Sequence, residues 1–350
     1  MTRITIVTDA WHPQVNGVVR SIDRNNTELR KMGVDVTMVT PQAFRTVPCP
    51  TYPEIRLSLT TPRRFAAEIA KGQPSYVHIA TEGPLGLFAR GWCRRQGLPF
   101  TTSYHTRFPE YVSARLPIPS SWLYAIVRRF HNSGAGCMVA TESLARELTE
   151  RGFVRLMRWS RGIDADLYRP RDKDFLDLPR PIFMNVGRVS VEKNIEAFLD
   201  LDLPGTKVVV GDGPQLDALR RRYPDTVFTG AKFGEDLARH YAAADVFVFP
   251  SRTDTFGNVI LEALASGVPV AAYPVMGPID IVGSHPVGVL DEDLRTAALG
   301  ALEMSPEACR KLALTYSWQA AALQFLTNIR IANGERVANA PKIAQPSAAE

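Results

Sequence analysis

The chain has 350 residues, of which 45% are hydrophobic and 22% charged, with a formal net charge of +5. That length accommodates two domains of ordinary size, and the composition belongs to a packed globular protein rather than a disordered one. No apolar run approaches the roughly 18 residues a membrane span needs, and the Met1–Val7 start enters a strand without a signal-peptide pattern.

Strand-like and helix-like segments alternate from the start. In the first half the strand runs are Ile4–Thr8, Val36–Thr40, Tyr76–Ala80, Phe100–Tyr104 and Cys137–Thr141, separated by segments of helical length such as Val18–Met32, Pro84–Gln96 and Glu142–Arg151. The second half repeats the scheme with Pro181–Val186, Lys207–Val210, Thr226–Thr229, Asp245–Phe249, Val268–Ala272 and a short Gly288–Leu290. Repeated β–α alternation predicts an α/β fold of parallel, doubly wound sheets, and two such series predict two Rossmann-like domains. Arg161–Pro170 and the charged Arg171–Arg180 carry no periodic pattern, so the hinge belongs there. Tyr316–Ile331 has apolar residues at helical spacing. The last stretch, Asn333–Glu350, is rich in Ala, Asn, Pro and Ser and predicts a disordered tail.

Several constellations lie at predicted strand ends. After the first strand comes Asn16-Gly17, a close-approach start to a helix, although no G-x-G-x-x-G follows. His105 lies just beyond the fourth strand, either as a hydrogen-bonding group at a reacting centre or as an ordinary loop residue. Arg188 and Lys193 follow the first strand of the second half, where open α/β sheets bind ligands. A planar fork of donors and a compact point charge suit a diphosphate; a solvated loop is the alternative.

The richest stretch is Ser251–Pro269. Asp254 and Glu262 stand eight residues apart around Phe256-Gly257-Asn258, which predicts a helix running to Ser266 with Glu262 on it and Asp254 in the loop before it. Two acceptors and a helix start with unpaired N–H groups match the hydroxyls and diphosphate of a nucleotide sugar. The competing reading is a common strand–loop–helix unit with solvated acids.

Other chemistries lack their residues. There is no P-loop, no G-x-S-x-G elbow, and Cys49, Cys93, Cys137 and Cys309 are scattered without C-x-x-C or His at metal-ligand spacing. The acid pairs Asp164/Asp166 and Asp291/Asp293 sit in the hinge and at a helix start, so no metal site is expected. A reduced cytoplasmic setting fits this cysteine usage.

Charge is divided unevenly. Residues 1–168 hold 22 Lys+Arg against 13 Asp+Glu, and the remainder 19 against 23. Phe88, Arg90, Trp92, Arg94 and Arg95, then Arg115, Trp122, Tyr124, Arg128, Arg129 and Phe130, form a basic–aromatic stretch suited to an anionic membrane surface. Two ordinary helices packing their aromatics inward would read the same. No nucleic-acid-binding module is recognisable, so nucleic acid is not expected as a partner.

Together these residues resemble the retaining family-4 glycosyltransferases of the glycosyltransferase B fold, two Rossmann-like domains facing across a cleft. The resemblance runs from Pro13-Gln14-Val15-Asn16-Gly17 through His105-Thr106-Arg107-Phe108-Pro109 to Tyr316-Ser317-Trp318, and its most specific parts are Gly187-Arg188…Glu192-Lys193-Asn194 and Asp254-x7-Glu262. The family usually carries Glu where this chain has Asp254, and the D-T-F-G-N-x-x-L-E version resembles the branch of glycolipid synthases and mannosyltransferases.

The resemblance implies that Arg188 and Lys193 neutralise the donor diphosphate. It implies that Glu262 accepts from the ribose, that Asp254 with the Phe256–Asn258 backbone holds the sugar, that Gly17 approaches the sugar–phosphate region, and that His105 contacts the sugar. It further implies an acceptor-binding domain over 1–165, a nucleotide-sugar domain over 166–316, a helix over 317–332 crossing back to the first, and no required cofactor or divalent metal. The expected activity is transfer of a glucose-, glucuronate- or mannose-type unit from a UDP- or GDP-sugar to a membrane lipid such as diacylglycerol, by a protein peripheral on the inner face of the cytoplasmic membrane. The alternatives are a soluble or polysaccharide acceptor for the same transferase, a non-enzymatic nucleic-acid-binding protein, and a sugar-nucleotide epimerase of similar architecture.

Overall fold

The computed structural model describes residues 2–12, 17–49, 52–113 and 118–337. They form two compact units. One comprises the chain up to Arg161 together with the segment from Trp318; the other is Gly162–Ser317.

The first unit is built on a six-stranded parallel sheet of β1 (Arg3–Val7), β2 (Asp35–Val39), β5 (Tyr76–Ile79), β6 (Phe100–Tyr104), β7 (Gly136–Val139) and β8 (Leu156–Arg158), in the order β2-β1-β5-β6-β7-β8. A separate antiparallel pair, β3 (Arg45–Cys49) and β4 (Tyr52–Leu59), lies between β2 and β5 in the chain. Helices cover both faces of the large sheet, so its inner strands β1, β5, β6 and β7 are almost wholly buried, while the edge strands β2 and β8 are partly exposed. On one face Ile4, Ile6, Ile22, Leu29, Trp159, Phe325 and Ile329 form a core with the Gly17–Lys31 and Trp318–Ala332 helices. On the other, Val7, Phe65, Ile79, Leu85, Phe100 and Phe130 pack with the Pro62–Ala70, Pro84–Gln96 and Ser120–His131 helices.

The central strand β6 buries three hydroxyls, Thr101, Thr102 and Ser103, and each finds a histidine. His78 Nδ1 and Nε2 bond Thr101 Oγ1 at 2.9 Å and Ser103 Oγ at 3.0 Å, while on the opposite face His131 Nδ1 bonds Thr102 Oγ1 at 2.8 Å. Strand alternation sends neighbouring side chains to opposite faces, which is why one strand serves both histidines. Burying a polar run without such partners would cost more than burying apolar residues of the same size gains.

The second unit repeats the architecture with β9 (Ile182–Val186), β10 (Thr206–Val210), β11 (Val227–Gly230), β12 (Val246–Phe249), β13 (Val270–Ala272) and β14 (Gly288–Leu290), in the order β11-β10-β9-β12-β13-β14. All its pairs are parallel. Its ends are held at the same place: Ile163 and Ser317 pair as an isolated bridge, and the Ile163 N–H donates to the Tyr316 carbonyl at 3.0 Å.

The chain leaves the first unit after Arg161 and returns at Trp318. The Trp318–Ala332 helix packs into the first unit, with Phe325 edge-on to His78 at 4.8 Å. The expected tail from Asn333 lies mostly outside the described residues, which end at 337.

Candidate active site

In a doubly wound sheet the strand order reverses at one point, and the loops leaving the C-terminal ends of the two strands there splay apart to leave a crevice. In the second unit that point lies between β9 and β12. The loop after β9 carries Arg188 and Lys193; the loop after β12 carries Asp254. Three bonds tie the loops together. Lys193 Nζ donates to Asp254 Oδ1 at 2.6 Å, Asn194 Nδ2 to the Pro250 carbonyl at 3.0 Å, and Thr253 Oγ1 to the Glu192 carbonyl at 3.3 Å. Asn194 holds a left-handed conformation (φ 53°) that ends a short 3-10 turn at Val191–Lys193. The loop after β9 thus holds a single tight turn, closed at Asn194, whose side chain reaches the Pro250 carbonyl.

Gly257 follows with φ 87°, a conformation that disfavours any Cβ, and Asn258 opens the Asn258–Ala265 helix. Glu262 lies on that helix and is not a solvated acid. It is 7% exposed, and the Tyr241 hydroxyl donates to its Oε2 at 2.8 Å. Phe256 is buried and meets the Tyr316 ring edge-on at 6.4 Å. Arg188 is exposed at the strand end.

At the same edge, Ser190 Oγ, Ser251 Oγ and Asp254 Oδ2 are buried without hydrogen-bond partners among the described residues. Other buried polar atoms among the described residues are unpaired too, but here three gather at one strand edge, where a ligand or water can complete their bonding. A further loop, Gly211-Asp212-Gly213 after β10, backs onto the first. A Cβ on Gly211 would stand 1.8 Å from the Gly187 carbonyl oxygen, and one on Gly213 2.4 Å from that of Val189. The two glycines let that loop lie directly against Gly187–Val189.

In the first unit, Gly17 begins the Gly17–Lys31 helix and is exposed; its neighbour Asn16 lies outside the described residues. His105, just beyond β6, accepts at Nδ1 from Arg161 Nη2 at 3.1 Å and packs edge-on against Trp159 at 5.7 Å. A guanidinium only donates, so Nδ1 carries the lone pair and the proton sits on Nε2. Burial first, and then the Arg161 charge, holds His105 well below the ordinary imidazole range, so the ring is neutral.

Arg161 is itself buried at 6% exposure over the Trp159 ring, 4.4 Å from its centroid, with Nη1 donating to the Trp159 and Ser160 carbonyls. Sequence reading assigned Arg161 to the hinge and missed this contact, since 56 residues separate it from His105 and no spacing joins them.

The basic–aromatic stretch divides. Arg94, Arg95, Arg128 and Arg129 are exposed on the Pro84–Gln96 and Ser120–His131 helices. Phe88, Trp92, Tyr124 and Phe130 pack inward, as amphipathic helices place them. Trp122 alone among these aromatics stands out, 70% exposed, beside Ile126 at 67%. Arg115 lies outside the described residues.

Comparison with known proteins resolves the class. Residues 15–167 match the family described as Glycosyltransferase Family 4, and residues 180–303 match Glycosyl transferases group 1. A GDP-mannose-dependent alpha-mannosyltransferase of Mycolicibacterium smegmatis is 31% identical over 82% of this chain and 84% of its own length. The chain belongs to the family-4 glycosyltransferases. An alpha-monoglucosyldiacylglycerol synthase of Streptococcus pneumoniae is 30% identical over 87% of this chain and 79% of its own. Among solved structures, sucrose-phosphate synthase from Thermosynechococcus elongatus is similar with a TM-score of 0.77 at 22% identity, over 95% of this chain and 99% of that one. The fold is thus of the glycosyltransferase B type, two parallel-sheet α/β units, and the protein is a glycosyltransferase.

Proposed function

We propose that this glycosyltransferase is a retaining hexosyltransferase that uses a UDP- or GDP-sugar and a membrane lipid acceptor such as diacylglycerol. The donor occupies the second unit, and its sugar is of glucose, glucuronate or mannose type. The observation that carries the donor assignment is the switch-point crevice between β9 and β12, where Lys193, Asp254 and three orphaned buried oxygens converge. Arg188 and Lys193 supply positive charge for a departing diphosphate, so transition-state stabilisation needs no divalent metal. Glu262, held by Tyr241, is aligned to accept from ribose hydroxyls, and Asp254 to accept from the sugar.

The lipid acceptor is supported by the exposed Trp122 and Ile126 beside exposed arginines, the pattern of an interfacial helix. A relative named as an alpha-monoglucosyldiacylglycerol synthase points the same way. Among the described residues no helix is long and apolar enough to cross a membrane, so we place the protein peripherally at the inner membrane face.

The test is incubation of the purified protein with UDP- and GDP-sugars, with diacylglycerol in anionic vesicles or a soluble sugar as acceptor, with and without EDTA. Transfer to the lipid with the donor's anomeric configuration kept, insensitive to EDTA, is expected. Inversion, EDTA inactivation, or transfer to the soluble sugar alone would each overturn its own part of this reading.

A further inference from the structure

The first unit has its own switch point, between β1 and β5, and an acid stands at the end of each strand. Asp9, after β1, is fully employed. Its Oδ1 accepts from the Leu85 N–H at 2.9 Å, and its Oδ2 from the Gly86 N–H at 3.3 Å and the Thr81 hydroxyl at 3.0 Å. It caps the Pro84–Gln96 helix from another strand, and a Cβ on Gly83 would stand 2.5 Å from its carboxyl carbon. Asp9 is a structural acid.

Glu82, after β5, is held differently. Its Oε1 accepts from His131 Nε2 at 2.9 Å, and its side chain remains 23% exposed while that of His131 is wholly buried. His131 is gripped at its other nitrogen by Thr102 Oγ1 and lies 3.5 Å from Cys137 Sγ. Burial alone would lower its pKa, but Cys137 and Glu82 more than offset this and lift it to about 10. A wholly buried ring, bonded at both nitrogens, therefore anchors a partly open carboxylate at the crevice edge. A buried polar pair adds less to stability than apolar packing of the same size would, and this one leaves its carboxylate open at a strand end, so the arrangement points to a role for the carboxylate itself.

We propose that Glu82 is an acceptor-binding residue: it accepts a hydrogen bond from the acceptor's hydroxyl, with His131 as the positioning residue that fixes its orientation. The chemistry is shared by a lipid glycerol and a sugar ring, both of which present an alcohol O–H to a carboxylate. The inference rests on the transferase reading above, with the acceptor on the first unit. It assigns no proton transfer to Glu82.

The experiment compares wild type with Glu82→Gln, which keeps the side chain's volume on a half-buried loop, and with His131→Gln and His131→Ala. Acceptor KM, donor KM and nucleoside diphosphate affinity are measured with diacylglycerol micelles in one arm and a soluble sugar in the other. Thermal unfolding runs alongside. In whichever arm the wild type is active, Glu82→Gln is expected to raise acceptor KM about tenfold or more, with donor KM and nucleotide affinity within twofold. His131→Ala should show the same split, and His131→Gln, whose amide still donates, should restore part of the loss. An unchanged acceptor KM in Glu82→Gln, or equal rises in acceptor and donor KM, overturns the inference while leaving the transferase reading intact. A wild type that transfers to neither acceptor overturns that reading and this inference with it.

Discussion

At the scale of single residues, the two units hold their functional groups by different physics. Lys193 is partly exposed and shares its charge with Asp254 at 2.6 Å, so the diphosphate proposed to bind there would compete with the carboxylate for the ammonium. Lys193→Ala and Arg188→Ala are each expected to lower kcat/KM by roughly 10²–10⁴, the scale of a lost preorganised transition-state partner. Because Lys193 and Asp254 act on each other, the Lys193→Ala/Asp254→Asn double variant should lose less than the two single losses combined. Steady-state kinetics of the folded variants decides this, and near wild-type turnover in Lys193→Ala and Arg188→Ala removes the donor-site assignment. In the first unit the device is a fixed tautomer. Arg161 bonds His105 at Nδ1 and its charge opposes protonation of the ring. Replacing it with Met removes both effects, so the His105 pKa rises, while burial, the larger cause, still opposes protonation. The acid limb of the kcat–pH profile should therefore move to higher pH in Arg161→Met, with a lower plateau. An unmoved limb would mean that His105 does not serve as a neutral N–H donor.

At the scale of elements, most of the parallel strands were legible because they are short, largely apolar runs between turn residues; the half-buried three-residue β8 was not. Phe100–Tyr104, Pro84–Gln96 and Gly288–Leu290 were read to the residue. The antiparallel pair β3–β4 was not foreseen, since Pro48 interrupts one strand and Arg45, Thr46 and Arg56 give it no apolar alternation. Of the candidate site, the sequence showed the residues that stand at strand ends within a motif. It could not show what reaches them from elsewhere. Arg161 comes to His105 from beyond β8, and Tyr241 comes to Glu262 from the Gly234–Ala243 helix, where it reads as one more core aromatic. Loop–loop approach at Gly211 and Gly213 leaves only a G-x-G trace, which was passed over. The Asn258–Ala265 helix shows how element and chemistry join: its buried face carries Glu262, whose carboxylate is oriented by a neighbouring helix rather than by solvent. Glu262→Gln keeps the volume and can still accept from Tyr241, so the fold should hold. Loss of the charged acceptor should weaken nucleoside diphosphate binding about tenfold, or about 1.4 kcal/mol. Isothermal titration measures it, and unchanged affinity would make Glu262 a structural acid of the helix packing.

At the scale of the whole molecule, charge and apolar exposure coincide on one unit. The 22 Lys+Arg against 13 Asp+Glu of residues 1–168 are not spread evenly. Arg90 is held below its ordinary value by burial and then by the charges of Arg94 and Arg129, so cations of the Pro84–Gln96 and Ser120–His131 helices crowd together. Beside them Trp122 and Ile126, one helical turn apart, expose 70% and 67% of their surface. An anionic bilayer would relieve the mutual repulsion and cover the apolar pair, each basic residue near the surface contributing about 1 kcal/mol within a Debye length of about 10 Å at 0.1 M salt. The charge and the apolar parts of that contact can be separated. Sedimentation with vesicles should require acidic lipid and weaken as salt rises. Replacing Arg94, Arg95, Arg128 and Arg129 with Ser should abolish most of the salt-dependent binding. Trp122→Ser with Ile126→Ser should weaken binding at every salt concentration alike, because insertion of apolar side chains is not screened. Neither set belongs to the β9–β12 crevice of the second unit, so nucleoside diphosphate affinity should stay at the wild-type value in both. A wild type that ignores anionic vesicles at low salt, while glycosylating a water-soluble sugar efficiently, would remove the membrane from the account and leave a transferase of soluble acceptors.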